Sequence, residues 1–216
     1  MRTETLGNLR QQVLERADER LSRVPATELN TMINQSYAEL YDLILSVSPE
    51  FRLTHQDITV TSGQATYTLP SDFYRSRGLD VLGTDSRWYC LERFVFAYRN
   101  VVQLVTNRED TRYGVEDNQL RLYPSPTWGG TVRLWYHIAP TRMVADADTI
   151  DGVAGWEEYI VLDVCLKIKA KNEEDTTPYQ MQLEKVKARI TSMASQRDIS
   201  EPMRILPALP IWTWRY

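Results

Sequence analysis

The hydrophobic period of this chain changes twice, and this change constrains the fold more than any other feature of the sequence. Through residue 50 the apolar residues recur every three or four positions, which is typical of amphipathic helices. Over residues 51–140 they alternate with polar residues in short runs, which is typical of β-strands. Over residues 141–197 the helical period returns. The sequence therefore predicts an α+β fold, in which a helical bundle from residues 1–50 and 141–197 carries an inserted small antiparallel β module at 51–140.

Four helices are expected from the apolar stripes and from the residues that begin and end them. Thr5 is suited to cap the first helix and Thr27 the second, which Ser48 ends because a proline follows it. The apolar face of Trp156–Lys171 is so broad that we expect this third helix to be central and buried. Thr177, with proline as the next residue, begins the fourth.

The strands of the inserted module are short and its turns are frequent. The run Ser62-Gly63-Gln64 predicts a hairpin turn, and Pro124–Gly130 predicts a longer loop. A helical period over Glu92–Val105 predicts one short helix within the module. Several short antiparallel strands of this kind favour a small sandwich or barrel.

Residues 198–216 have neither a helical nor an alternating period, and three prolines stiffen them toward an extended path. They are nevertheless apolar and aromatic, which is not typical of a disordered tail. We expect an extended C-terminal arm that docks on a partner, with packing against its own helices as the alternative. The residues expected to make the contact are Met203, Arg204, Ile205, Leu206, Leu209, Ile211, Trp212, Trp214 and Tyr216.

Residues that could carry catalysis lack the patterns that such chemistry needs. His55 and His137 stand alone, and the chain has no nucleophile-elbow, phosphate-loop, dinucleotide-binding or zinc-protease motif. Cys90 and Cys165 are far apart and are expected to be reduced and buried. The sequence therefore predicts no catalytic residue and no cofactor.

Five carboxylates lie between the last predicted strand and the third helix: Asp146, Asp148, Asp151, Glu157 and Glu158. Their spacing loosely resembles a cation loop, but the fixed glycine and the final glutamate of an EF-hand are missing. Acidic residues are also favoured at a helix N-terminus by the helix dipole, so no metal site is predicted. A small hydrolase or enzyme accessory domain using Asp146, Asp148 or Glu157 is one alternative function.

Tryptophans in the β module suggest another alternative, a protein that binds a ligand. Trp88, Trp128 and Trp135 could form a platform for a carbohydrate or a nucleobase. No basic strip runs beside them along the sequence, so core and interface packing is the simpler interpretation.

The charge balance and the distribution of apolar residues limit the possible partners. A net charge of −4 and a pI of 5.3 argue against a surface that grips nucleic acid, although not against nucleic acid sliding past. The first residues lack the apolar stretch of a signal peptide, and no window approaches the ~18 apolar residues of a membrane span. We expect a protein that is made in the cytoplasm and stays soluble there until it meets a partner.

Six short segments, taken in order, follow a recognisable pattern. They are Thr5–Arg10, Leu29–Tyr37, Tyr67–Arg75, Leu120–Pro126, Leu134–Tyr136 and Trp156–Ile160. Together they resemble the head-to-tail adaptor proteins of tailed phages, the family of connector and tail tubular protein A-like proteins. The resemblance covers nearly the whole chain and lies in the order of its elements.

This resemblance implies a structural subunit of the virion neck that is not an enzyme. The expected partners are the portal protein, a tail, nozzle or stopper protein on the distal face, and further copies of the chain in a ring, commonly a dodecamer. DNA would pass through the ring without specific binding, and no membrane would be involved. The apolar arm would then be the portal-docking segment, while the alternative is a virion protein whose β module binds a carbohydrate or another ligand.

Overall fold

The computed structural model describes residues 4–18, 24–102, 107–150 and 155–195. Contacts between residues divide the chain into two compact units. The helical unit consists of Met1–Ser48 and Arg142–Tyr216, and the β module consists of Pro49–Thr141. With four long helices and two antiparallel sheets, the fold is α+β, as the sequence predicts.

The described residues form twelve helices and strands, together with one short 3-10 turn at Phe96–Tyr98. In chain order they are α1 (Leu6–Ala17), α2 (Ala26–Val47), β1 (Leu53–Val60), β2 (Thr66–Thr68), β3 (Phe73–Leu82), β4 (Trp88–Leu91), α3 (Arg99–Val102), β5 (Arg112–Glu116), β6 (Gln119–Tyr123), β7 (Gly130–Ile138), α4 (Glu157–Lys171) and α5 (Thr177–Ser195).

The first two helices begin for different reasons. The Thr5 hydroxyl accepts the backbone N–H of Asn8 at 3.2 Å, which confirms the predicted cap of α1. The predicted cap of α2, Thr27, is wrong, because α2 already begins at Ala26 and Pro25 occupies the N-cap position. Pro25 has the extended backbone of an N-cap residue, with φ −58° and ψ 143°, but its side chain makes no cap hydrogen bond.

Helix α4 is the centre of the helical unit, as its broad apolar face predicts. It packs against α1, α2 and α5. Burial of each large apolar side chain contributes about 1.5–3 kcal/mol, so the three outer helices gain much of their stability from this shared partner. Its buried residues are Tyr159, Ile160, Val161, Leu162, Asp163, Val164, Cys165 and Ile168.

The β module has two sheets around one apolar core. The four-stranded sheet has the order β1-β7-β3-β4, and the three-stranded sheet has the order β2-β6-β5. Every strand contributes to the core, which consists of Val60, Tyr67, Leu79, Val81, Leu91, Tyr113, Leu120, Leu122, Val132, Leu134 and Tyr136. Of the two architectures that the sequence favours, two sheets that share a core correspond to a sandwich rather than to a closed barrel.

The first and last strands of the β module are neighbours. Strand β1 pairs antiparallel with β7, with Leu53 opposite His137. At the same end of this pair, the N–H of Ile138 donates to the carbonyl oxygen of Arg52 at 3.5 Å. The chain therefore enters and leaves the module side by side.

One predicted element of the module is wrong in its first part. The sequence predicts a helix over Glu92–Val105, whereas the structure has a 3-10 turn at Phe96–Tyr98 followed by α3 at Arg99–Val102, and residues 103–105 lie outside the described ranges. The N–H of Phe94 donates to the Tyr113 carbonyl oxygen at 2.7 Å, and the N–H of Tyr113 donates to that of Glu92 at 3.1 Å. Backbone groups that bond with β5 in this way are not available to a helix, so the first residues of the segment are extended.

We propose that the β module is a separable insertion. Deletion of Phe51–Pro140, with the helices joined by a short linker, should leave a helical protein that melts cooperatively, because the two ends of the module lie side by side. Circular dichroism measures the outcome. As a control, deletion of Phe51–Leu91 alone removes both partners of β7 and should yield an aggregating protein. Loss of all helical signal in the first variant would show that the module belongs to one integral core.

Candidate functional site

The structure places some of the sequence-predicted site residues and not others. The docking residues between Met203 and Tyr216 lie outside the described ranges, as does Asp151. The other candidates are two histidines, two cysteines, four carboxylates and three tryptophans, and each has a defined position.

The two histidines lie in the β module and have different surroundings. His137 is buried, and its Nδ1 lies 2.9 Å from the carbonyl oxygen of Phe51. It thus helps to join the two ends of the module. His55 is exposed on β1, and its ring lies against Trp135 with 4.8 Å between centroids. In neither arrangement does the imidazole lie beside a serine or cysteine that it could activate as a nucleophile.

The cysteines are poor nucleophiles in this structure. Cys165 is buried in α4, and burial raises the pKa of its thiol to about 11. Cys90 is exposed, so the expectation that it is buried is wrong. It alternates with the buried Leu91 on β4 and therefore points out of the core. Desolvation and the nearby Asp80 raise the pKa of the Cys90 thiol as well, and a raised pKa leaves less of the reactive thiolate.

The carboxylates near residue 146 do not converge on a common point. The Asp148 carboxylate accepts the N–H groups of Val144 and Ala145 at 2.7 and 2.8 Å, which lowers its pKa. Asp146 pairs with Arg10, and Glu158 lies 3.5 Å from Arg16. Across the described ranges, no group of three or more His, Cys, Asp or Glu residues could hold a metal ion.

These acidic residues belong to a segment that fastens the chain back onto the helical unit after the β module. The N–H of Leu6 donates to the carbonyl oxygen of Asp148 at 2.9 Å, which ties the segment to the start of α1. The Asn34 side chain on α2 bonds both the N–H and the carbonyl oxygen of Met143, at 2.9 and 3.0 Å. A role in structure therefore accounts for this part of the chain.

A buried polar cluster joins α2 to α4 and contains groups that occur in catalytic sites. The Ser36 hydroxyl donates to the Asp163 carboxylate at 2.5 Å, and both residues are buried. The Lys167 ammonium lies 2.7 Å from Asp163, 3.0 Å from Glu39 and 3.1 Å from the Ser36 oxygen.

The protonation of this cluster argues against nucleophilic catalysis. Burial lowers the pKa of Lys167, but hydrogen bonds to Asp163 and Glu39 outweigh that effect, so the pKa lies above its usual value. A protonated lysine cannot accept the proton of the Ser36 hydroxyl. Ser36 is also fully buried, so no substrate can reach it. The cluster fixes the pairing of α2 with α4.

Two of the three tryptophans considered as a platform share the outer face of the four-stranded sheet. The Arg133 guanidinium lies 4.2 Å from the centroid of the Trp88 ring, and it also binds Asp57 through two hydrogen bonds of 2.7 and 3.0 Å. The hydrogen bond from Arg133 lowers the pKa of Asp57. Trp135 donates its indole N–H to Asp80 at 2.7 Å. Arg133 therefore covers one face of the Trp88 ring, and the indole N–H of Trp135 already has a hydrogen-bond acceptor within the module.

The third tryptophan has a different neighbour. Trp128 packs against the core of the β module, and the guanidinium of Arg108 lies 4.9 Å from the ring centroid. That guanidinium also donates to the carbonyl oxygens of Leu82 and Gly129 at 3.0 and 2.9 Å. Sequence analysis found no basic strip beside these tryptophans, because the arginines reach them from distant positions in the chain.

A cleft of about 700 Å³ lies on the surface of the β module. Its wall is an aromatic stack in which the rings of Phe94 and Tyr123 lie 3.9 Å apart and nearly parallel. The guanidinium of Arg121 covers Tyr123 at 5.1 Å from the ring centroid. The Tyr123 hydroxyl donates to Glu116, and burial together with this hydrogen bond raises its pKa to about 12.

At the rim of the cleft lies the most exposed aromatic ring of the described surface. Phe96 is 71% exposed, and its neighbour Val95 is 49% exposed. The Arg99 guanidinium lies 4.7 Å from the Phe96 centroid and donates to its carbonyl oxygen at 3.3 Å. Exposed apolar residues next to a concave site are typical of surfaces that contact another protein. We name the cleft lined by Phe94, Phe96, Arg99, Glu116, Arg121 and Tyr123 the aromatic–arginine cleft.

The described part of the β module therefore contains an open cleft and exposed aromatic surface suited to binding. None of the helices in the described ranges is long and apolar enough to cross a membrane.

Comparison with known protein families shows to which family the chain belongs. The family model of the SU10 adaptor protein matches residues 4–206. The chain therefore belongs to the SU10 adaptor protein family, which is a phage head–tail adaptor family. No curated protein matches the chain. Family membership makes it a structural component of the virion that interacts with other head and tail proteins.

Sequence analysis missed the buried cluster and the aromatic–arginine cleft. For the buried cluster, the sequence contained one signal: Asp163 and Lys167 are four residues apart within an otherwise apolar helix and therefore lie on the same face. Phe94 and Phe96 were assigned to a helix, where alternate residues do not share a face. Phe94 instead lies in an extended segment and stacks on Tyr123 of β6, while Phe96 in the 3-10 turn lines the same cleft.

Replacement of Lys167 by methionine should destabilise the helical unit by about 1–3 kcal/mol, because it removes a partner of the buried Asp163 carboxylate. Urea unfolding followed by circular dichroism measures the change. The matched control is Lys187→Met on α5, which removes a surface pair with Glu184 at 3.1 Å and should change stability by less than about 0.5 kcal/mol. Equal effects in both variants would contradict the structural role given to the cluster.

Proposed function

We propose that this chain is a subunit of a homo-oligomeric ring, with twelve copies as the expected number, that joins the portal to the tail of a phage. In this proposal the four helices form a bundle, the ring surrounds the DNA channel, and a tail, nozzle or stopper protein binds its distal face. The observation that carries the proposal is the family match, which extends over residues 4–206 and so includes both units.

The charge of the chain supports a channel that lets DNA pass. Net charge is −4, with 29 acidic and 25 basic residues. Several arginines of the β module are already occupied within it: Arg133 binds Asp57, Arg112 lies 3.3 Å from Glu92, and Arg121 lies 3.5 Å from Glu116. Guanidiniums neutralised in this way contribute little to phosphate binding. The proposed ring therefore surrounds DNA without gripping it.

The arm at residues 198–216 is the proposed contact with the portal. Its composition supports this role, because Ile205, Leu209, Trp212 and Trp214 are apolar side chains next to prolines that restrict the chain. Restriction lowers the entropy lost when an extended segment is pinned on a partner. Repetition of the contact around a ring would raise the avidity further.

The isolated chain should bind duplex DNA negligibly at moderate salt. Fluorescence anisotropy with a labelled duplex should give a Kd weaker than about 10⁻⁴ M, the weak end of the range for non-specific binders. A basic DNA-binding protein measured in the same buffer serves as the positive control. Tight binding that weakens steeply with added salt would contradict a passive channel.

Truncation after Gln196 should abolish binding to portal rings while the melting temperature changes little. Each large aromatic side chain buried at the contact is worth about 1.5–3 kcal/mol, which is roughly tenfold or more in Kd. Co-sedimentation with portal rings and a thermal melt are measured on the same preparation. The full-length variant Trp212→Ala/Trp214→Ala is the control for chain length and should also lose portal binding. A truncated chain that melts much lower but still binds the portal would show that the arm stabilises its own subunit instead.

A further inference from the structure

We propose that two copies of the isolated chain associate through strand β1, which pairs antiparallel with β1 of the second copy across a two-fold axis. The two four-stranded sheets would then form one continuous sheet of eight strands. Neighbours in a ring of more than two subunits contact each other through two different surfaces, whereas a two-fold pair uses one surface twice. The inference therefore does not depend on the proposed ring and describes the chain before assembly.

Strand β1 is an unprotected edge of the four-stranded sheet. Its eight residues pair with β7 in a regular register without a bulge. The strand contains no proline, lysine or arginine, and these are residues that commonly keep an edge strand from pairing. The other edge strands are shorter or covered: β2 has three residues, β4 has four, and β5 bonds with the segment that follows β4. Among the described strands, β1 is therefore the edge best suited to accept another strand.

The alternation of hydrogen bonds identifies the backbone groups that this edge presents. The N–H of Ile138 donates to the carbonyl oxygen of Arg52, so the even-numbered residues from Arg52 to Val60 direct their backbone groups toward β7. The odd-numbered residues of β1 direct theirs away from it. The side chains of His55, Asp57 and Thr59 are exposed, and no residue of the described ranges bonds with their backbone on the outer side. An extended strand can therefore reach this row of donors and acceptors.

The side chains of β1 favour a second copy of the same strand as the partner. A two-fold axis at Gln56 places His55 opposite Asp57 of the second copy, which is a favourable cross-strand pair of an imidazole with a carboxylate. Leu53 then lies opposite Thr59, so the whole strand is used. An axis at Asp57 would instead place two carboxylates opposite each other, and an axis at His55 would leave Thr59 without a partner in the strand. The register centred on Gln56 is therefore the one that we expect.

A disulfide across the axis tests this register. Position 56 would lie opposite itself in a pair without hydrogen bonds, where the two Cα atoms are about 4.5 Å apart, a separation that suits a disulfide. In a full-length chain that carries Cys90→Ser to remove the exposed thiol, Gln56→Cys should give a linked dimer as the main product of mild oxidation. In the matched control, Thr54→Cys, the two cysteines would be offset by about 13 Å along the strands and should link little. No linkage at position 56, or linkage at position 54 that is as strong, would overturn the proposal.

Sedimentation equilibrium of the full-length chain measures the strength of the association. At up to about 100 μM protein we expect a monomer–dimer equilibrium, since association depends on concentration. His55→Pro removes an outward N–H and leaves the bonds with β7 intact, because proline is tolerated on an edge strand. It should raise the Kd of the dimer at least about tenfold, since a two-fold pair loses the hydrogen bond twice. The matched control His55→Val keeps the N–H and should have a clearly smaller effect.

Two charged variants at the same position test the pairing of His55 with Asp57. His55→Lys places opposite charges across from each other and should lower the Kd of the dimer by about threefold, whereas His55→Asp places like charges there and should raise it by about threefold. Thermal melts followed by circular dichroism check that each variant is folded. The absence of a dimer at every concentration, equal effects of proline and valine, or the reverse order of the two charged variants would overturn the proposal.

Discussion

The antiparallel pairing of β1 with β7 is the constraint on which the rest of this structure depends. It places Leu53 opposite His137, so an insertion of some ninety residues begins and ends at adjacent points. A helical unit interrupted in this way can form the same contacts as an uninterrupted one. The chain then returns to that unit through Met143, whose backbone is held on both sides by the Asn34 amide. The pairing of β1 with β7 and the hydrogen bonds of Asn34 therefore let the helical unit form from two separate stretches of the chain.

Within the helical unit, specificity comes from a polar cluster in an apolar setting. Helix α4 is buried around its middle, over Tyr159–Cys165, and an apolar surface alone does not fix which neighbour packs at which register. The hydrogen bond between Ser36 and Asp163, with Lys167 beside it, requires α2 and α4 to meet in one way. The same cluster shows how a set of catalytic residue types can be inert: the lysine is protonated and the serine is inaccessible.

The β module carries the surfaces that suit an adaptor. Its arginines cover aromatic rings and bind carboxylates within the module, as Arg133 does with Trp88 and Asp57. Guanidiniums used in this way stiffen a surface without making it a phosphate-binding one. The exposed Phe96 and the cleft that it lines form an open surface on the module. These surfaces agree with membership of a head–tail adaptor family, since an adaptor interacts with other head and tail proteins.

The sequence by itself determined the α+β class, the central position of α4 and most strand positions, because hydrophobic period reports which faces of an element are buried. It also indicated the adaptor family through the order of its elements. Only the tertiary structure decided that the segment beginning at Glu92 is extended, since its backbone bonds to Tyr113, a partner distant in sequence. The same holds for the stack of Phe94 on Tyr123 and for the contact of Ser36 with Asp163. Local periodicity carries no information about contacts between residues far apart in the chain, and these sites consist of such contacts.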